Sequence, residues 1–211
     1  AWEEEKDYEV VDELPFWFNG RGFINKKRNR IYLYNAKKKK LQALTEPLFD
    51  VGGVKFCSKC GKVAYTGHTF NARRAQSSAL YLYDVETGET SCLVEDGTYS
   101  IGNFCFDNAH GEIVFSADPI KDGYPAPGNK GGKVEAVYEG IPEELGCTTG
   151  CDVRYGGGNS MKAVDGVLYL VTSYDNTSGL CSLKRGEKKL HHITAPSFGV
   201  DFFGVSEGRF F

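Results

Sequence analysis

Gly204-Val205-Ser206-Glu207-Gly208 carries the G-x-S-x-G spacing of a hydrolase nucleophile elbow. That chemistry needs a serine on a sharp strand-to-helix turn, with an acid and a histidine later in the chain to activate it. Three residues follow Gly208 and none is histidine, so Ser206 reads as part of a hairpin turn and not as a catalytic serine. Cys57-Ser58-Lys59-Cys60 has the two-residue gap of a zinc knuckle, and Cys147 and Cys151 offer a second pair with three residues between them. Tetrahedral zinc takes four converging ligands, usually from knuckles close in sequence. These pairs are far apart and unequal in spacing, so neither a metal nor a cofactor is expected. The runs Lys26-Lys27-Arg28-Asn29-Arg30 and Lys37-Lys38-Lys39-Lys40 flank one strand and would form a patch for phosphate or an acidic peptide. Two solvated hairpin turns explain them more simply. At His191-His192 no acid partner is evident nearby, and the pair reads as packing or surface. Gly156-Gly157-Gly158-Asn159 lacks the Lys-Ser/Thr of a phosphate loop, and serves better where the backbone turns sharply beside a central channel.

The elements that must position these residues come from a repeat. Four short turns fall in matching places: Ser58 to Lys62, Asp107 to Glu112, Val164 to Val167 and Ser206 to Arg209. Their glycines, Gly61, Gly111, Gly166 and Gly208, are 50, 55 and 42 residues apart by subtraction of their positions. Apolar runs flank each turn, as in Val63-Ala64-Tyr65 and Ile113-Val114-Phe115. A second set of turns follows at Asp84 to Glu89, Glu139-Gly140 and Lys184 to Glu187, with a weaker relative at Asn35 to Lys38. Two hairpins per period of forty to fifty residues is the pattern of β-propeller blades. The fold expected is all-β: a partial propeller of about four blades, each a four-stranded antiparallel sheet. The blades fall at 8–47, 48–96, 97–149 and 150–196, with a fifth opening at 197–211. Ile31 to Tyr34 and Leu80 to Tyr83 carry large side chains on both faces of the pleat, as a sheet sandwiched between neighbours requires. The polar stretches Thr66 to Ser78 and Ala117 to Lys133 read as long loops between second and third strands, both on one face of the ring.

Composition agrees. Aromatics at 13% and 26 glycines suit strands joined by tight turns. A net charge of -3 gives no reason to expect nucleic acid, and no apolar stretch approaches the length of a membrane span. The start Ala1-Trp2-Glu3-Glu4-Glu5 is unlike a signal peptide, and seven irregularly spaced cysteines favour reduced thiols and a cytoplasmic setting.

Several segments resemble one family. Asp12-Glu13-Leu14-Pro15-Phe16-Trp17-Phe18-Asn19-Gly20, then Gly22-Phe23 and Leu33-Tyr34, are similar to a propeller segment of prolyl oligopeptidase family serine peptidases, in their acylaminoacyl-peptidase and dipeptidyl-peptidase-like branches. Phe56 to Tyr65 resembles that family's repeated W-S-P-D-G-K-x-I-A-Y hairpin, with Pro and Asp lost from the turn, and Leu80 to Glu89 its L-Y-L-Y-D-x-x-T-G-E hairpin. Asp152 to Ser160 and Val200 to Phe203 resemble late-propeller segments. The resemblance implies seven or eight blades and an α/β-hydrolase domain bearing Ser, Asp and His. No such domain lies in these 211 residues, so no catalytic residue carries over and no substrate-binding residue is identifiable. What it implies is a non-catalytic propeller fragment that gates and orients peptide substrates for that hydrolase domain, its partner in the parent chain.

Four blades do not close a ring, so the end blades should each bare an apolar face, and two copies are expected to associate edge to edge. Two other functions fit a propeller. One is a free-standing scaffold for protein interactions. The other is a glycosidase, which needs carboxylates converging at the channel, with Asp107, Asp152 and Asp201 as the candidates.

Overall fold

A computed structural model of the chain describes residues 8, 10–122, 124–125, 134–136, 143–148, 160–187, 189–195, 199–206 and 208–211. Every regular element among them is a β-strand, and every strand pairing with a described register is antiparallel. The chain divides into two compact units, residues 1–100 with 120–126 and residues 101–119 with 127–211.

In the first unit, β1 (Trp17–Phe18) pairs with β2 (Gly22–Phe23), and β3 (Tyr32–Asn35) with β4 (Lys40–Ala43). The expected four strands of 8–47 are present, but as two separate hairpins instead of one sheet. Asn25 and Lys26 both adopt positive φ (42° and 59°), which turns the chain away before β3 can continue from β2. One face of β3–β4 packs inward through Leu33, joined by Ile31 and Leu44, onto the next sheet. Tyr32, Tyr34 and Leu41 are exposed on the other, so this hairpin is not buried on both faces as its sequence suggested.

The next sheet has four antiparallel strands: β5 (Phe49–Cys57), β6 (Lys62–Thr69), β7 (Ala79–Asp84) and β8 (Thr90–Val94) lie in that order. Between Lys62 and Thr69 six consecutive residues are buried, the mark of a strand covered on both faces. Phe49, Tyr65 and Tyr81 form its aromatic centre: Phe49 meets both tyrosines edge-on at 5.9 and 5.7 Å, and the tyrosines stack at 5.3 Å. Gly67 is required here, because a Cβ would lie 2.6 to 2.8 Å from the Phe49 ring. The strand runs to Thr69, so the connection that began at Thr66 in the sequence reading is only residues 70–78. Thr66 and His68 are buried, and their polar character had disguised a core strand.

Then β9 (Tyr99–Asp107), β10 (Glu112–Lys121) and β11 (Tyr124–Pro125) form a three-stranded sheet. Here too strand replaces expected loop, from Ala117 to Lys121, before Asp122 turns at φ 53°. The turn expected at Glu139-Gly140 lies outside the described residues.

In the second unit, β13 (Met161–Val164), β14 (Val167–Tyr174), β15 (Thr177–Lys184) and β16 (His191–His192) belong to one antiparallel sheet. β12 (Glu144–Leu145), assigned by sequence to the preceding blade, pairs instead with Ser173 and Thr172 of β14. Ser173 fixes it there: its hydroxyl donates to Gly146 O at 2.8 Å and accepts Thr148 N–H at 2.8 Å. Both faces of this sheet are covered. Leu170, Cys181, Leu183 and Leu190 cluster on one, and Val171 and Leu180 meet Phe203 on the other. The hairpin β17 (Val205–Ser206) and β18 (Arg209–Phe210) opens a further blade, extended by reciprocal hydrogen bonds between Gly204 and Phe211.

Candidate functional site

Ser206 lies in strand β17, paired with Arg209 across a turn that Gly208 makes at φ 73°. An antiparallel hairpin stands where a nucleophile elbow needs a strand-to-helix turn, so the motif is structural. The Gly156–Gly158 run, Asp152 and Cys151 lie outside the described residues. Asp107 ends β9 and organises its turn, accepting Ala109 N–H at 3.0 Å and holding His110 Nδ1 at 2.7 Å. Asp201 accepts the Cys147 thiol at 3.2 Å.

Cys57 and Cys60 are joined in a disulfide, which corrects the expectation of reduced thiols. The turn after β5 brings their Cα atoms to 5.5 Å, inside the range a disulfide spans. Among the described residues no three His, Cys, Asp or Glu side chains are disposed to hold a metal.

The basic run 26–30 is neither a solvated turn nor an open patch. Arg28 and Glu13 are almost fully covered, their side chains 1% and 2% exposed, and Nη2 meets Oε2 at 2.5 Å. The guanidinium also lies 3.7 Å over the Phe70 ring and donates to Phe70 O at 3.2 Å. Burial alone would push the Glu13 carboxyl up. The Arg28 hydrogen bond, the Lys26 N–H and both positive charges outweigh it and hold the group below the usual carboxylate range. Lys26 Nζ bonds Asp12 at 2.9 Å and donates to Asn71 O, while Arg30 donates to Thr45 O and lies over Tyr32. Leu14 completes the clasp through a parallel bridge to Arg73: Leu14 N–H bonds Ala72 O at 2.6 Å, and Arg74 N–H bonds Leu14 O at 2.8 Å. Residues 12–16 are thus strapped to 70–74. Lys37 to Lys40, by contrast, are all exposed around the β3–β4 turn, as the simpler reading of that run expects.

The histidine pair does have acid partners, contrary to the sequence reading. His191 Nε2 lies 3.1 Å from Glu187 Oε2. His192 lies between Cys181 Sγ, 3.3 Å from Nδ1, and Glu143 Oε1, 3.5 Å from Nε2. Sequence missed the His192 contact because Glu143 arrives from 49 residues upstream (192 less 143) and beside β12, whose pairing was misassigned; Glu187, only four residues before His191, was readable and was overlooked. The order thiol, imidazole, carboxylate is that of an activated nucleophile. Its setting is wrong for one: Cys181 is wholly buried, and burial pushes its thiol up despite the Thr172 hydroxyl at 3.3 Å. An uncharged thiol without access is inert. On the opposite face of the sheet that holds Cys181, a cleft of about 480 Å³ is lined by Leu180, Thr194, Val200, Phe203, Phe210 and Phe211, with Asp201 the one acid among the described residues that line it.

No family model matches the sequence. No curated protein matches it either. Among solved structures, the chain is similar to Pyrococcus horikoshii acylaminoacyl peptidase at TM-score 0.64 and 17% identity, over 98% of this chain and 31% of that one. An acylaminoacyl peptidase in complex with Z-Gly-Gly-Phe-chloromethyl ketone matches equally, with 30% of its chain covered. A prolyl endopeptidase structure follows at TM-score 0.57 and 14% identity, over 90% of this chain and 29% of that one. The chain spans about a third of the length of these peptidases. At such identities the likeness shows the fold: antiparallel sheets of the propeller type.

Proposed function

We propose that this chain is a non-catalytic propeller segment of a prolyl oligopeptidase type serine peptidase, and that it gates and orients peptides for an α/β-hydrolase domain. The observation that carries this reading is the match to acylaminoacyl peptidase along 98% of the chain, at a TM-score well above that of chance similarity. Ser206 sits in a hairpin and Cys181 is buried, so this reading assigns the chemistry to neither. In the parent the propeller would exclude folded proteins by size, and the chemistry would lie in the hydrolase domain. Tyr32, Tyr34 and Leu41 in the first unit and Phe202, Phe210 and Phe211 in the second are exposed apolar groups of the kind that another sheet would cover. In the isolated chain, a second copy takes that role.

Two measurements test this. The chain alone should turn over neither acyl-peptide nor aminoacyl-proline chromogenic substrates, and turnover would overturn the non-catalytic assignment. Sedimentation at micromolar concentration should show dimers, and a strictly monomeric chain would remove self-association.

A further inference from the structure

His68 is the buried polar group that the clasp does not explain. It lies near the end of β6, 5% exposed, and neither ring nitrogen has a hydrogen-bond partner of good geometry. Its ring sits 5.6 Å from that of Phe70, the first residue of the strap, and Phe70 in turn carries the Arg28 guanidinium on its face. A buried imidazole so poorly hydrogen-bonded favours its neutral form, since a charge there loses its hydration and regains only part of that loss from the carboxylates nearby. The groups that face it come from every side: Asp50 of β5, Arg74 and the Ser77 backbone of the 70–78 connection, and Asp96 beyond β8. The two carboxylates are already engaged. Asp50 accepts Asn29 N–H at 2.9 Å and lies 4.0 Å from Arg74, and Asp96 accepts the Ser77 hydroxyl at 2.5 Å and Gly97 N–H at 2.9 Å.

We propose that His68 is an acid-sensitive latch: its neutral ring, buried behind Phe70, keeps the 70–74 strap closed on residues 12–16, and a proton on it releases the strap. The released segment is the one that leads into β1 and carries Phe16, stacked at 6.4 Å on Phe23 of β2. Release therefore frees the aromatic hairpin at the start of the unit while the blade β5–β8 stays intact.

The sign follows from the surroundings. Burial holds His68 below the ordinary histidine range; Asp96, Asp50 and a weak Ser77 backbone hydrogen bond oppose it, and Arg74 reinforces it. A group depressed in the closed state stabilises that state fully above its ordinary value near pH 6.5, and the stabilisation is lost as pH falls. Glu13, held below the usual carboxylate range, stays ionised through the same window and does not confuse the reading.

The amides of Leu14 and Arg74, which bond across the strap, report closure directly. Hydrogen exchange on the whole chain, corrected for intrinsic rates, should show their protection falling between pH 7.5 and 5.0 by up to about thirtyfold, the limit for one proton taken up on opening. In His68→Leu that fall should vanish. Unchanged protection at pH 5.0 in the wild type, or the same fall in the variant, overturns the latch. Should the variant not fold, the imidazole titration of wild-type His68 by NMR decides: its midpoint must coincide with the loss of Leu14 protection, and a mismatch also overturns the proposal.

Discussion

Breaking the Glu13–Arg28 pair should cost this protein far more than losing a surface salt bridge. Arg28→Met keeps a flexible stem over Phe70 but removes the guanidinium, leaving Glu13 covered with the Lys26 N–H at 2.5 Å and the more distant Lys26 charge to answer it. Glu13→Gln keeps the shape and leaves the guanidinium without its counter-charge, held by the Phe70 and Lys27 carbonyls and the Phe70 ring while its Nε has no partner. Removing one member of a deeply buried pair typically costs about 3–5 kcal/mol, because the survivor is desolvated and uncompensated. Few atoms lie beyond the first layer covering Glu13, so water stays close and a lower figure applies, roughly 2–3 kcal/mol for each variant. For a chain of this size that corresponds to a fall in Tm of roughly 5–10 °C. Urea titration at pH 7 measures it, with Trp2→Phe leaving Trp17, beside the clasp, as the single tryptophan. The double variant should be less destabilised than the sum of the singles by about 1–2 kcal/mol, since each change removes the other's penalty. Costs below about 0.5 kcal/mol, as exposed pairs show, or strict additivity, would refute the reasoning.

Two further outcomes follow from packing. Gly67→Ala places a Cβ against the Phe49 ring at 2.6 to 2.8 Å, and should lower stability in urea by about 1–3 kcal/mol; a neutral effect would mean that β5 and β6 are not held as closely as described. Cys181 in the folded chain should react with iodoacetamide at least about a hundredfold more slowly than in urea, being buried with its thiol pushed up; comparable rates would mean that the Cys181–His192–Glu143 alignment is a live nucleophile.

The turns were the most legible part of this fold, for a local reason. Gly61, Gly88, Gly111, Gly166, Gly186 and Gly208 all adopt positive φ in the hairpin turns where the sequence put them, and glycine is the residue that does so without strain. The turn between β14 and β15 was missed because Asp175, not glycine, takes the left-handed position, at φ 50°. The antiparallel order β5-β6-β7-β8 was legible because each strand follows its neighbour in sequence. The strand order failed where it did not: β12 reaches β14 across 21 residues (166 less 145), and short strands without periodicity leave no local trace. The clasp was invisible for the same reason. Arg28 looked like one cation in a basic run, and only folding brings Glu13 and Phe70 to it. Polar strands also deceived, as at His68, where a buried imidazole reads like loop composition.

The central claim is that this propeller serves a hydrolase domain and does no chemistry itself. The most direct measurement is to sequence the open reading frame that encodes these 211 residues and label its full product with a fluorophosphonate probe. The account predicts an α/β-hydrolase domain in the same frame, a label on its elbow serine, and none within residues 1–211. A frame encoding only propeller repeats, or a label on Ser206, would contradict it.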